Sequence, residues 1–233
     1  MFEFTYETRY GDYKSIDTIK PSSIMDMVQD VSTKASEHYG YDIQKLYSMN
    51  IAWLLRGIKI HFETPVKTHI PIKFETSIKS IKAASSQRGC RGYQNGQCVV
   101  KTIADWFLYD TQAKRPVKVP QELVDAYEYS DFDNDEFFNY VKPALEDADT
   151  VVYTMKVSNK EIDTNMHLNN QKSAEILMDA LPFDYYFKDA AILYKKPVYP
   201  GDELELCMKE MPDGYYAHLR TKDGEICVAG RFE

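Results

Sequence analysis

The chain has 233 residues, 44% of them apolar and 13% aromatic, and a formal net charge of −8. That length admits one large domain or two small related ones, and no apolar run approaches the roughly 20 residues of a membrane span, so the chain reads as soluble. The acidity is local: Glu122 to Asp149 holds ten acidic residues and one lysine, a charge of −9 that leaves +1 for the rest, a balance that gives nucleic-acid binding little support.

Residues 2 to 9 alternate apolar and polar, the period of a half-buried strand, and Gly11-Asp12 break it. The opening Met1 to Tyr6 has no basic region leading into an apolar block, so no secretory leader is expected. After Pro21, Ile24, Val28, Val31 and Ala35 recur at helical spacing and Ser23 with Asp26 makes a capping-box-like start, which predicts a helix over 23–38 with a core-facing stripe. Strand-like runs follow at 50–63, 70–83, 89–94 continuing through 97–109, and 115–119, with Asn95-Gly96 as a hairpin signal. Within them, Thr76 to Ala104 lacks any acidic residue and carries Lys79, Lys82, Arg88, Arg91 and Lys101, a patch suited to steering an acidic partner. Trp53 and Trp106 read as packing residues. The four cysteines, at 90, 98, 207 and 227, show no C-x-x-C pair and no histidine at ligand spacing. A reduced cytoplasmic compartment and no metal site are therefore expected, with Cys90 facing Cys98 across a hairpin the less favoured reading.

From 122 to 149 the acidic residues interleave with Tyr127, Tyr129, Phe132, Phe137, Phe138 and Tyr140. Rings in such number have surface worth burying, which predicts a connector lying across two halves, 1–121 and 150–233. The second half repeats the first in outline: a strand at 151–157, a polar loop, a helix, then strands near 190–196, 203–210, 214–222 and 225–232. Strand, helix and strands twice over is an α+β order, with an antiparallel sheet around a helix in each half.

The polar loop is the densest stretch of chemistry: Asp163-Thr164-Asn165-Met166-His167-Leu168-Asn169-Asn170. In an extended conformation Asp163, Asn165 and His167 would share one face at roughly 6.5 Å intervals. Ala174, Leu177, Met178 and Leu181 then mark a helix over 169–181, closed by Pro182, with Asn169 or Asn170 as N-cap. Free N–H groups in its first turn would meet a developing negative charge, an arrangement suited to attack on a carbonyl carbon. The competing reading is a polar loop whose asparagines do no more than start a helix.

The pattern D-x-N-x-H-x-N-N opening a helix resembles the signature of the acyl-acyl carrier protein (acyl-ACP) thioesterases, enzymes built from two hot-dog units in tandem. Ile51 to Arg56 is similar to the strand that follows their first helix, and Asp105 to Pro120 to the strand, turn, basic pair and proline that end their first unit. The resemblance implies two tandem hot-dog units and hydrolysis of acyl-ACP thioesters to free fatty acids. It implies catalytic roles for Asp163, Asn165 and His167, substrate contacts from Asn169 and Asn170, and an acyl carrier protein as partner. No cofactor or metal is needed, and a homodimer stays open.

This sequence departs from the pattern twice. The family continues N-N-x-x-Y-x-x-W, where Ser173 and Ile176 stand here. Tyr194-Lys195-Lys196 resembles the context of a Glu-Cys pair on the following strand, but Pro197 and Val198 come next. If that glutamate activates water in relatives, Asp163 or His167 takes the role in this chain. An acyl-CoA thioesterase and a non-hydrolytic acyl- or acyl-carrier-binding protein are the alternative readings.

Overall fold

A computed structural model of the chain describes residues 1–233 except Asp131, Asp133, Asn134 and Asp149, so part of the acidic segment lies outside the described residues. The chain divides into two compact units, Met1–Tyr140 and Val141–Glu233.

The first unit comprises β1 (Phe2–Tyr6), α1 (Pro21–His38), α2 (Ile43–Ser48), β2 (Ile51–Phe62), β3 (Ile72–Lys82), β4 (Ser85–Gln94), β5 (Gln97–Asp110), β6 (Arg115–Pro116) and α3 (Gln121–Ala126). Its strands pair antiparallel in the order β1-β3-β4-β5-β2, with β6 on β5. The predicted stripe of α1 is buried, Ile24, Val28, Val31 and Ala35 each at 2% exposure or less. The helix begins at Pro21 rather than at a Ser23 capping box. A proline costs little at the first helical position, where its missing N–H has no partner to lose. The first strand stops at Tyr6 because Tyr10–Asp12 forms a 3-10 turn in which the Arg9 N–H donates to the Asp12 carboxylate at 2.8 Å. The β4–β5 turn is the one expected: Asn95 and Gly96 have φ of 51° and 78°, the two positive values a type I′ hairpin requires. Cys90 pairs across with Thr102 and Cys98 with Tyr93, so those two thiols do not face each other, and none of the four cysteines forms a disulfide.

Alternation along β4 decides the fate of the basic patch. Ser86, Arg88 and Cys90 turn to one face and Gly89 and Arg91 to the other. The segment after α3 lies on that second face. Phe132 and Phe138 pack with Ile103, and the Phe132 ring sits where a side chain on Gly89 would place its Cβ, 2.6 Å away. The Arg91 guanidinium stands 4.9 Å from the Phe132 ring and 4.6 Å from that of Phe138. Lys101 bridges Glu63 (2.9 Å) and Asp135 (3.1 Å), and the Lys79 ammonium donates to the Phe138 carbonyl (3.0 Å) and Asn139 Oδ1 (2.9 Å). Arg88 is buried. The expected docking patch is thus largely occupied by the chain itself, and of its five cations Lys82 alone is exposed.

The second unit comprises β7 (Thr150–Lys156), α4 (Asn170–Asp179), β8 (Asp189–Tyr194), β9 (Glu203–Met211), β10 (Gly214–Thr221) and β11 (Ile226–Phe232). Its strands pair antiparallel in the order β8-β11-β10-β9-β7. Against this sheet α4 buries Ala174 and Leu177, as the periodicity predicts, together with Ser173 and Ile176. The two positions that depart from the family pattern therefore face the core, with smaller side chains than Tyr and Trp. Met178, inside α4, and Leu181, beyond its end at Asp179, were expected in the stripe and are half-buried; the helix stops two residues short of the expected bound.

Candidate active site

The site is built on the loop between the 3-10 turn Asn159–Glu161 and α4. It does not run extended. The Asp163 N–H donates to the His167 carbonyl at 2.8 Å and the Met166 N–H to the Asp163 carbonyl at 3.1 Å, so five residues fold into a closed turn. Met166 takes a φ of 62° to close it. The expected 6.5 Å ladder of side chains is absent for that reason.

Asp163 holds the turn from inside. Its Oδ1 accepts from the Asn165 N–H at 2.8 Å and from the His167 N–H at 3.4 Å, the Asx-type capping that an aspartate at the head of a turn supplies. Its Oδ2 makes no hydrogen bond to a described residue. Asn165 is exposed, and Asp163 and His167 are half-buried. The His167 ring meets the edge of Tyr199 at 4.9 Å between centroids, close to perpendicular.

Two long-range contacts fix this loop. The Leu168 N–H donates to the Val198 carbonyl at 2.8 Å, and the Asn169 N–H to the Glu161 carbonyl at 2.9 Å. The first places the Pro197-Val198 segment beside the motif, with Val198 buried at 3%. Where relatives are expected to present a glutamate, this chain presents a proline ring. Tyr199 follows at once, its N–H held by Asp202 Oδ2 at 2.8 Å. Sequence reasoning missed Tyr199. The signal available was the Tyr-Pro-Gly-Asp turn after Val198, but nothing in that spacing connects it to His167.

At the helix entrance the expectation needs correction. Asn169 is the N-cap, and its Oδ1 accepts from the N–H groups of Gln171 (2.8 Å) and Lys172 (3.3 Å). Two of the first-turn donors foreseen for a developing oxyanion are therefore engaged by the cap, which leaves the Asn170 N–H. The Asn170 carbonyl accepts from the Tyr194 hydroxyl at 3.0 Å, which ties the helix start to β8. Asn169 Nδ2 makes no hydrogen bond to a described residue.

The first unit contains the same frame. The Lys14 N–H donates to the Thr18 carbonyl (2.8 Å), the Ile19 N–H to the Val66 carbonyl (2.9 Å) and the Lys20 N–H to the Asp12 carbonyl (2.8 Å), each matching a bond of the second loop. Bridges Tyr13 to Ile19 and Ile162 to Leu168 close the two loops alike. Counted along this frame, Lys14, Ile16 and Thr18 stand where the second unit has Asp163, Asn165 and His167. The duplication is thus legible in hydrogen bonds although little residue identity survives.

Comparison with known proteins agrees with this architecture. Residues 1–127 match the family model of the acyl-ACP thioesterase N-terminal domain and residues 145–231 that of the C-terminal domain. No curated protein sequence matches the chain. Among solved structures, an acyl-ACP thioesterase from Bacteroides thetaiotaomicron is similar at 15% identity and a TM-score of 0.87, with 99% of this chain and 96% of that one covered. A putative oleoyl thioesterase from Lactobacillus plantarum gives 16%, 0.87, 99% and 94%. A 12:0-ACP thioesterase from Umbellularia californica gives 14%, 0.85, 100% and 96%. Likeness at such identity establishes the fold, α+β with two hot-dog units in tandem.

Proposed function

Since the chain belongs to the acyl-ACP thioesterase family, we propose that the 163–170 loop of its second unit is where its reaction occurs. The protein is a thioester hydrolase acting on acyl-ACP: water adds across the C–S bond, the acyl group leaves as a fatty acid and the carrier's thiol is restored. The residue roles below are our reading.

His167 is the proton-transferring group. It takes a proton from water as the oxygen attacks the thioester carbonyl carbon, and returns it to sulfur as the tetrahedral intermediate collapses and the C–S bond breaks. Asp163 fixes the turn through Oδ1, which sets where the imidazole stands, and offers Oδ2 to the water or the ring. The exposed Asn165 amide orients water or the carbonyl. The Asn170 N–H, at the positive end of α4, supports the oxyanion, with Asn169 Nδ2 as a second donor. With Pro197 in place of a carboxylate, the base falls to His167. A thioester requires no metal or organic cofactor to hydrolyse, and none is invoked.

The observation that carries this reading is the half-buried His167 ring, seated on Tyr199 at the mouth of α4 by a loop closed at both ends. Replacing His167 with Ala is expected to lower thiol release from acyl-ACP by about 10²- to 10⁴-fold with the fold intact by circular dichroism. Unchanged turnover removes His167 from the mechanism. Four cysteines without a disulfide fit a reducing, cytoplasmic setting. Among the described residues no helix is long and apolar enough to cross a membrane.

A further inference from the structure

Arg88 is a buried cation that hydrolysis does not use. It is 6% exposed, and its Nη1 has no hydrogen-bond partner among the described residues. Its guanidinium stands 5.8 Å from the Tyr127 ring, and no described carboxylate forms an ion pair with it. Burial pushes its pKa down, the direction expected of a charge without an anion. A lone cation away from water is costly unless an anion meets it.

Register places further donors beside it. Ser86, two residues earlier on β4, shares the face of Arg88 and lies opposite Trp106 on β5. Trp53 lies opposite Leu108 on the same face, four residues along β5 from the Ala104 that pairs with Arg88, so it borders the apolar part of the face rather than the cation. Ser86 Oγ and both indole Nε1 atoms are buried and have no hydrogen-bond partner among the described residues. Around them the surface is apolar and aromatic: Ile78, Leu108 and Tyr127 form one buried cluster on which Tyr39 and Trp53 pack. Phe132 covers the opposite face of β4, so the cation and these donors are turned away from it.

A guanidinium with a hydroxyl and an indole N–H near it, set in an apolar wall, asks for an anionic acceptor carried on a hydrocarbon body. A phosphate keeps its water shell too tightly for such walls, whereas a carboxylate on an aliphatic chain matches both halves of the site. We propose that the β4–β5 face of the first unit, centred on Arg88, binds an aliphatic carboxylate. Its source is either the free fatty acid that hydrolysis releases or an acyl chain that ends in a second carboxyl group. Choosing these sources rests on the family's activity; the site itself does not.

The two tryptophans of the chain are both in this unit, so indole emission reports on it. Titrating the protein with dodecanoate is expected to shift that emission to saturation. In Arg88→Met the dodecanoate affinity falls at least tenfold, while uncharged 1-dodecanol binds both proteins alike. Equal dodecanoate affinity in a folded Arg88→Met, or no response of the wild type up to the solubility limit, overturns the proposal. Should Arg88→Met fail to fold, Ser86→Ala decides: a severalfold loss for dodecanoate alone supports the site, and no loss overturns it. Turnover separates the sources. Inhibition by dodecanoate that Arg88→Met relieves identifies the product, whereas slowing by Arg88→Met confined to carrier protein loaded with an ω-carboxyl chain identifies the substrate's far end. Equilibrium binding needs no hydrolysis, so a His167→Ala protein that still binds dodecanoate through Arg88 leaves this inference standing even if the catalytic reading falls.

Discussion

Asp163 spends one oxygen on two backbone N–H groups and keeps the other, and that division determines what each substitution reports. Asparagine preserves the acceptor that closes the turn but removes the charge. Asp163→Asn is therefore expected to unfold in urea within about 0.5 kcal/mol of the parent while thiol release falls about 10²-fold. Asp163→Ala also loses the turn bonds and costs a further 1–2 kcal/mol or so, as a lost cap does. If Asp163→Asn turns over normally, the residue is a structural cap and nothing more. Residue types singled out the stretch from Asp163 to Asn170 as the densest in chemistry, and the family resemblance supplied the roles of Asp163, Asn165 and His167. What they did not disclose was direction. The positive φ at Met166 and the bond from Asp163 to the His167 carbonyl turn an apparent ladder into a closed loop, and such a turn depends on contacts with Val198 and Glu161 that spacing does not encode.

At the scale of elements, α1, α4 and the long strands were readable because periodicity is set by which face meets the core, and Ile24, Val28, Val31, Ala35, Ala174 and Leu177 are buried accordingly. The aromatic segment after α3 was readable only as something that must be buried. Its surface was hidden in the register of β4, where Gly89 leaves room for Phe132. Phe132→Ala is expected to destabilise the protein by about 3–5 kcal/mol, measured by denaturant unfolding, because a fully buried ring leaves a cavity on the sheet. The same contact carries a pH dependence. Lys101 and, more weakly, His61 hold the Glu63 carboxyl below its usual range; burial pushes Asp135 up, but Lys101 and the Phe137 N–H outweigh it and hold that carboxyl low as well. Groups with depressed folded-state pKa values contribute stability above their unfolded values, near 4, and lose it as pH falls through the folded ones. Wild-type stability is thus expected to drop below about pH 4 more steeply than that of Asp135→Asn, and parallel acid-unfolding curves would discount the pairing.

Across the whole molecule one loop frame occurs twice and the acid, amide and imidazole set once. Lys14, Ile16 and Thr18 occupy the first unit's copy, so His167→Ala has no second site to fall back on, and its residual rate should be insensitive to Thr18→Ala. The division of labour bears on the carrier protein too. Lys79, Arg91 and Lys101 are engaged by the chain's own aromatic and acidic segment, which leaves the loop's neighbours, exposed Lys160 and Lys195, as cations a carrier can meet beside the site. An acidic carrier approaching there gains association rate from charge, and the gain fades as ions screen it over about 10 Å at 0.1 M salt. Lys160→Glu with Lys195→Glu is therefore expected to raise KM for acyl-ACP roughly tenfold at low salt and far less at 0.5 M. Hydrolysis of the matching acyl-pantetheine thioester, which carries no charge, should be unaffected at either salt. Lys79→Ala and Lys101→Ala serve as the contrast: they should lower stability and leave the salt dependence of KM as it was. A salt slope that follows Lys79 and Lys101 instead would return the carrier to the 79–101 face and require the aromatic segment to lift from it.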